Sequence, residues 1–363
     1  MARILIITWD GGGVVPPALG IGAELHRRGH DVRVLGHASQ YAAVHEAGLG
    51  FAAYAVALPW SPSAPVPEDR FLLARAAVAL DPRAGLDVRA ELTRRRPDVV
   101  LVDATRLAAL REAERAGVPT AVLVPTLHRY LAGRWAKGPI GLAAALRRLR
   151  PAKLWDRAAR VLIATDPELD GPLPAGAVHT GAVTGRLRPP AREPDPLVAV
   201  SLGTSAYPGR TELLQRVLDA LGHVDAHAVV SVGDGIDADG LRVPESVELH
   251  RYADHADVLA RAHLLIGHGG HATTLRALAN DLPVLVLPGH PQLVHPMLGA
   301  AVEGAGAGRV LPPDSSPEAI AGAARTLLGG GPHHAAAAAV GARIRSRDGA
   351  SAAADELEAL AGT

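Results

Sequence analysis

Short runs of apolar, β-branched residues alternate along the chain with longer stretches whose apolar positions recur with a helical period. The first run, RILIIT, predicts a strand buried on both faces. Pro16 and Pro17 follow and open a helix whose apolar positions include Leu19, Ile21, Ala23 and Leu25. Proline suits a first helical turn, because the N–H that it lacks would have no partner there. Gly29 ends the helix and DVRVLG predicts the next strand. PDVVLVD and PTAVLVP predict two more, with the helix LAALREAERAG between them. Strand–helix–strand alternation with strands apolar throughout predicts a parallel sheet covered on both sides.

Residues 186–197, RLRPPAREPDPL, break this pattern with proline, arginine and acid, a linker composition. The alternation then restarts. LVAVSLG, HAVVSVG, HLLIG, PVLVLP and GRVL predict strands, and a helix is expected near 210–221. Two similar α/β halves joined by a proline-rich hinge predict two doubly wound, Rossmann-like domains, 1–190 and 191–363, facing each other across a cleft. A ligand is expected outside the carboxyl ends of the strands. The Ala-rich stretch from 333 and the final SAAADELEALAG are good helix formers, and the last helix is free to pack back on the first domain. Residues 58–70, LPWSPSAPVPEDR, have no clear period and carry four prolines. They read either as a wall of a pocket or as a surface excursion.

Composition narrows the function. A chain of 363 residues suits two domains of about 150–200 residues each. Hydrophobic content of 48% and a formal net charge of zero exclude a disordered chain and a bulk attraction to nucleic acid or anionic lipid. Absence of cysteine removes disulfides, thiolate catalysis, iron–sulfur clusters and thiolate zinc sites. Only Lys137 and Lys153 are lysines among 37 basic residues, which reads as GC-rich coding rather than guanidinium chemistry. Asp10 interrupts the first apolar run too early for a signal peptide, and no apolar stretch is long enough to span a membrane. A cytoplasmic protein is expected, with a homodimer left open.

The segment IGHGGHATTLRALANDLPVLVLP, residues 266–288, carries the most chemistry. A strand ends at Ile266, a Gly-rich turn follows, and Thr273 and Thr274 are expected to open a helix. Backbone N–H groups at a helix N-terminus attract anions. Gly269 and Gly270 would let a diphosphate come close, while Thr273 and His268 donate to its oxygens. That combination holds a diphosphate without a metal. The turn SLGTSAYPGR also follows a strand, and Thr204 and Ser205 could reach the same phosphates. No His-x-x-x-His pair has a third ligand at suitable spacing, so no metal site is expected.

These residues resemble the GT-B, family 1-like inverting nucleotide-sugar glycosyltransferases of bacterial natural-product biosynthesis, and the resemblance spans essentially the whole chain. Its strongest part is His-Gly-Gly-His-x-Thr-Thr, followed by LRALANDLPVLVLP and GAGAGRVL. SLGT fits the family's phosphate loop. HRYADHADVL, residues 250–259, fits the segment where the nucleoside base is held, which implies roles for Arg251 and Tyr252. VHTGAV, residues 178–183, fits the family's last segment before the linker. The resemblance implies a nucleoside diphosphate sugar as co-substrate, a small apolar acceptor and no metal or other cofactor.

Two departures matter. The family's catalytic His falls on Gly13, counted from Pro16, and glycine cannot take a proton from an acceptor. The family's Asp-Gln pair reads Pro291-Gln292, so the carboxylate that grips sugar hydroxyls is missing; Gln292 and His290 remain as sugar contacts. A deoxysugar donor is therefore expected. Gly12, Gly13 and His128 fall on the acceptor side. Two carboxylates are candidates for the missing base: Asp10, which could instead cap the Gly-rich loop, and Asp103, which could instead be a buried structural group. Without a base, the acceptor would be an acidic phenol or enol, or would react through carbon. The alternatives are an inactive nucleotide-sugar-binding partner of another enzyme, or another GT-B enzyme such as an epimerase.

Overall fold

The computed structural model describes residues 1–362. It divides into two compact units: residues 1–61, 69–185 and, among the described residues, 347–362 form unit 1, and residues 62–68 and 186–346 form unit 2. The linker-like stretch therefore goes with unit 2, five residues before the expected boundary. Its attachment is specific: Ala191 N–H donates to Ala260 O (2.9 Å), and the Arg192 guanidinium donates to the carbonyls of Leu259 (3.0 Å) and Ala260 (2.9 Å).

Unit 1 holds seven strands: β1 (Arg3–Ile7), β2 (Asp31–Gly36), β3 (Gly50–Ala53), β4 (Val99–Asp103), β5 (Thr120–Val124), β6 (Arg160–Ile163) and β7 (Ala177–His179). They form one parallel sheet in the order β3-β2-β1-β4-β5-β6-β7. Unit 2 holds β8 (Leu197–Ser201), β9 (His227–Ser231), β10 (Val247–His250), β11 (Leu264–Gly267), β12 (Val284–Val286) and β13 (Gly308–Val310). These run parallel in the order β10-β9-β8-β11-β12-β13. Each unit is a doubly wound, Rossmann-like α/β domain. Every strand inferred from an apolar run is present. The strands not inferred were β3, β6 and β10, and β7 lies inside a segment read only for its resemblance. Three of these four, β3, β7 and β10, lie at sheet edges, where one side of the strand carries little hydrophobic signal.

The order of strands places the chemistry. In each sheet the chain winds outward one way from a first strand and then returns to its other side. The reversal lies between β1 and β4 in unit 1, and between β8 and β11 in unit 2. Loops leaving the carboxyl ends at such a point splay apart and leave room for a ligand. Asp10, Gly12 and Gly13 follow β1 and Asp103 ends β4; Thr204, Ser205 and His268 follow β8 and β11.

Five helices matter below: α1 (Val15–Arg27), α2 (Arg210–Leu221), α3 (His271–Ala279), α4 (His295–Gly304) and α5 (Gly349–Ala361). The last of these packs in unit 1. Ala353, Ala354 and Leu357 join Ile4, Ile6, Leu19, Ile21 and Leu25 in one core. A single buried Leu contributes about 1.5–3 kcal/mol. At the rim, Arg28 donates to Ser351 Oγ (2.7 Å), Asp355 Oδ1 (2.6 Å) and Glu358 Oε2 (2.7 Å). His30 Nδ1 accepts from Ala2 N–H (3.1 Å), so its Nε2–H donates to Glu358 Oε1 (2.7 Å). Among the described residues, no helix is long and apolar enough to cross a membrane.

Candidate active site

In unit 2 the turn after β11 is built around the ring of His268, which is 9% exposed. The ring stacks on Tyr207 (5.8 Å between centroids, 22° between planes) and meets His295 edge-on (4.6 Å, 89°). Two glycines admit it. A Cβ on Gly203 would stand 2.6 Å from His268 Cε1, and one on Gly270 2.5 Å from the same atom. Gly203 also has φ +79°, which favours glycine. Gly269 has φ +83°, and a Cβ there would lie 2.8 Å from His295 O. The space left by these missing side chains is thus filled by the protein itself. The glycines make room for the His268 ring and for the start of α4.

His268 Nδ1 lies 3.4 Å from Ser201 O. A carbonyl only accepts, so this nitrogen carries the proton. Burial holds the imidazole at about 4, well below its usual range. α3 begins at His271, with Gly270 as its N-cap residue, two residues before the threonines expected to open it. Thr273 therefore sits in the first turn, half-buried, and Thr274 is buried. From β8, Thr204 is exposed and Ser205 half-buried. A helix N-terminus, the hydroxyls of Thr204, Ser205 and Thr273 and an imidazole follow the two strands at the switch point of this sheet, a set of groups suited to an anion.

On one side of this set lie the residues expected to hold a nucleoside. Arg251 Nε donates to Asp234 Oδ1 (2.6 Å), and Tyr252 OH donates to Asp234 Oδ2. Tyr252 is 60% exposed, so its ring is held in place with a face open to solvent. On the other side, Gln292 N–H donates to His290 Nδ1 (3.2 Å), and His290 N–H donates to His295 Nδ1 (3.2 Å). Both imidazoles accept at Nδ1, which leaves the Nε2–H of each as the donor. Gln292 is exposed and His290 half-buried.

In unit 1 the Gly-rich loop is pinned at Asp10. Its N–H donates to His37 Nδ1 (3.2 Å) and its carbonyl accepts from Trp60 Nε1 (2.7 Å). His37 Nε2–H then donates to Leu58 O (3.2 Å), and burial keeps this imidazole neutral, at about 4. The Asp10 carboxylate accepts from Ser39 Oγ (2.7 Å) and is half-buried. Gly12 has φ +70°, and Gly13 is exposed. A Cβ on Gly11 would stand 2.8 Å from the Trp9 indole, so the loop lies directly on that ring.

Asp103 is in a different setting. It is 2% exposed; Oδ1 accepts from Thr105 N–H (2.8 Å) and Thr105 Oγ1 (2.5 Å), while Oδ2 is closed off from solvent with no hydrogen-bond partner. Burial raises its pKa, and the hydrogen bonds from Thr105, with the nearby Arg106 and the Trp9 indole, offset part of that rise. His128 lies on the β5 side. Its N–H donates to Asp170 Oδ2 (2.8 Å), and burial lowers its imidazole pKa. The segment 58–70 is divided: Trp60 serves unit 1, whereas Pro62 O accepts from Ala206 N–H (2.7 Å) within unit 2. Among the described residues, no group of three or more His, Asp or Glu could hold a metal ion. The sequence reading passed over His37, Tyr207, Arg210 and Asp234. Only Arg210 left a signal, as a cation at the start of a helix.

Residues 215–360 match the family model described as erythromycin biosynthesis protein CIII-like, C-terminal domain. The demethyllactenocin mycarosyltransferase of Streptomyces fradiae is 30% identical over 166 residues, which is 46% of this chain and 36% of that protein. The matched stretch thus spans little more than a third of that relative. Two solved structures are similar over nearly their whole length. The glycosyltransferase SnogD from Streptomyces nogalater is 25% identical, with a TM-score of 0.77 and 99% of each chain covered. The glycotransferase of kitacinnamycin is 25% identical, with a TM-score of 0.76, covering 99% of this chain and 98% of that one. The fold is that of the GT-B glycosyltransferases.

Proposed function

We propose that this protein transfers a sugar from a nucleoside diphosphate to a small, apolar, aromatic or polyketide acceptor, with inversion and without a metal. The observation that carries the reading is the turn from β11 to α3, where a helix N-terminus and His268 meet at the switch point of unit 2. Unit 2 holds the donor. Tyr252 and Arg251 take the nucleoside, Thr204, Ser205, Thr273 and His268 take the diphosphate, and His290 and Gln292 take the sugar. With Nδ1–H turned to Ser201, His268 presents a lone pair at Nε2. A phosphate oxygen there favours uptake of a proton, and the resulting imidazolium stabilises the charge that develops on the leaving diphosphate.

Unit 1 holds the acceptor. Of its two candidate carboxylates, we assign the base to Asp10. Its backbone is fixed on both sides, and its carboxylate is open to solvent with one short bond from Ser39. The free oxygen of Asp103 is closed off from solvent, which makes it the less accessible of the two to an acceptor hydroxyl. Geometry decides before pKa does. The acceptor oxygen attacks the anomeric carbon from the face opposite the diphosphate, its proton passes to Asp10, and the nucleoside diphosphate leaves. The test is turnover of thymidine- and uridine-diphosphate sugars with a phenolic acceptor in the presence of EDTA. Glycoside formation with inverted anomeric configuration is expected. Loss of turnover on chelation with recovery on adding magnesium or manganese would overturn the metal-free mechanism, and no turnover with any donor would overturn the reading.

A further inference from the structure

Arg210 is the first residue of α2 and is 3% exposed. Its Nη2 donates to Val232 O, while Nε and Nη1, both cut off from solvent, meet no acceptor. No carboxylate pairs with it among the described residues. The titratable groups that act on it are Tyr207 and Tyr252, and it in turn acts on His268. Such a residue costs stability twice. A buried charge without a partner is strongly unfavourable. A cation at a helix N-terminus also opposes the dipole. One hydrogen bond to Val232 O and Glu212 in the same first turn do not neutralise the buried charge.

The position of the guanidinium suggests what does. It lies between the Thr204 turn and the turn after β9. A Cβ on Gly233 would stand 3.2 Å from Nη2, 3.8 Å from Gly203 O and 4.0 Å from Thr204 Cα, and one on Gly235 would stand 3.0 Å from Nη1. Along the carboxyl edge of the sheet, the order of strands sets the order of groups. Tyr252 follows β10, Arg210 sits at the end of β9, Thr204 and Ser205 follow β8, His268 follows β11, and His290 and Gln292 follow β12. Neighbouring strands are about 4.8 Å apart. Arg210 therefore stands on the nucleoside side of the phosphate turn, and His268 on the sugar side.

We propose that Arg210 is a fixed cation for the donor diphosphate, set beneath the Thr204 turn on the side of the phosphate nearest the nucleoside. This rests on the nucleotide-sugar reading of the same site and names a residue that reading did not contain. The diphosphate is the missing counter-charge. In a poorly solvated site a charge of this kind acts at short range without direct contact, and its placement is settled before the ligand arrives.

The experiment compares the full chain with Arg210→Lys, Arg210→Gln and Arg210→Met. Affinities for thymidine and uridine diphosphates are read by calorimetry, those for thymidine and uridine by ligand-observed NMR, and Tm is read without ligand. Gln and Met should weaken diphosphate binding by about tenfold or more, and Lys by no more than about threefold. Nucleoside affinity should not change. Arg210→Met should raise the ligand-free Tm, because it removes an unpaired buried charge. Undiminished diphosphate affinity, an equal loss for nucleosides and diphosphates, or a lower Tm for Arg210→Met would each overturn the proposal. If the unaltered protein binds neither diphosphate, the nucleotide reading itself fails. If it binds them and the variants do so equally, only the role of Arg210 fails.

Discussion

Single side chains divide the proposed reaction between the two units. His268→Ala should weaken nucleoside diphosphate binding by roughly 1–3 kcal/mol, the cost of a lost charge-assisted hydrogen bond. Calorimetry reads this directly, and unchanged affinity would remove His268 from the donor site. In unit 1, Asp10→Asn should lower turnover by about 10²–10⁴, the usual worth of a general base. Nucleotide affinity should stay the same, since Asp10 belongs to the other unit. Asp103→Asn is the matched comparison. Its carboxyl is buried and tied to Thr105, so the change should be felt in stability more than in rate. An active Asp10→Asn beside an inactive Asp103→Asn would move the base to Asp103. Activity in both would point to an acceptor that is already ionised.

At the level of elements, the turn from β11 to α3 works because glycines on two loops leave a slot for one imidazole. Gly270→Ala places a methyl group 2.5 Å from His268 Cε1, closer than packed atoms tolerate. The ring must shift, so this variant should lose nucleotide affinity much as His268→Ala does. A titration that matches the unaltered protein would show that the slot has slack. The same view explains why the helix begins at His271. Gly270, with its extended backbone, ends the turn, and the residues after it are free to wind. The threonines expected to open the helix lie within its first turn instead, where a side chain can still reach an anion held at the N-terminus.

For the whole molecule, two buried imidazoles set the response to acid. His37 in unit 1 and His268 in unit 2 are each held at about 4, against a usual 6.5. Between those values the unfolded chain binds more protons than the folded one, so stability rises with pH. The contribution is full above the unfolded value and is lost as pH falls through the window toward the folded one. The slope is at most about 1.4 kcal/mol per pH unit for each His. Denaturant unfolding across this range should show the decline, and a flat profile would mean that these rings are not buried neutral. The donor preference also belongs to this scale, since it sums the whole sugar pocket. With Pro291 where the family places an acid, matched deoxysugar donors should turn over better than glucose donors. A pocket with fewer groups to leave unpaired rejects them less. Equal or faster turnover with glucose would count against this.

Central strands such as β1, β4, β5, β8 and β11 were legible because burial on both faces writes an unbroken apolar run into the chain. His268 and the glycines beside it stood out because a tight strand-to-helix turn draws on a small set of residue types in a fixed order. The edge strands β3, β7 and β10 were not, since half of an edge strand's environment is solvent or loop. The sequence left the last helix free to pack back on the first domain, and the structure supplies the partners: α5 packs on α1 of unit 1 through Leu357 and the Arg28 cluster. Such a pairing joins residues more than three hundred positions apart, and no local pattern encodes it. The partners of charged groups belong to the same class. That Asp10 is bonded by Ser39, that Asp103 is buried with one oxygen unbonded and that Arg210 has no counter-ion among the described residues all depend on distances between side chains. Periodicity and propensity are local properties of a chain, whereas desolvation and pairing are set only when remote segments are brought together.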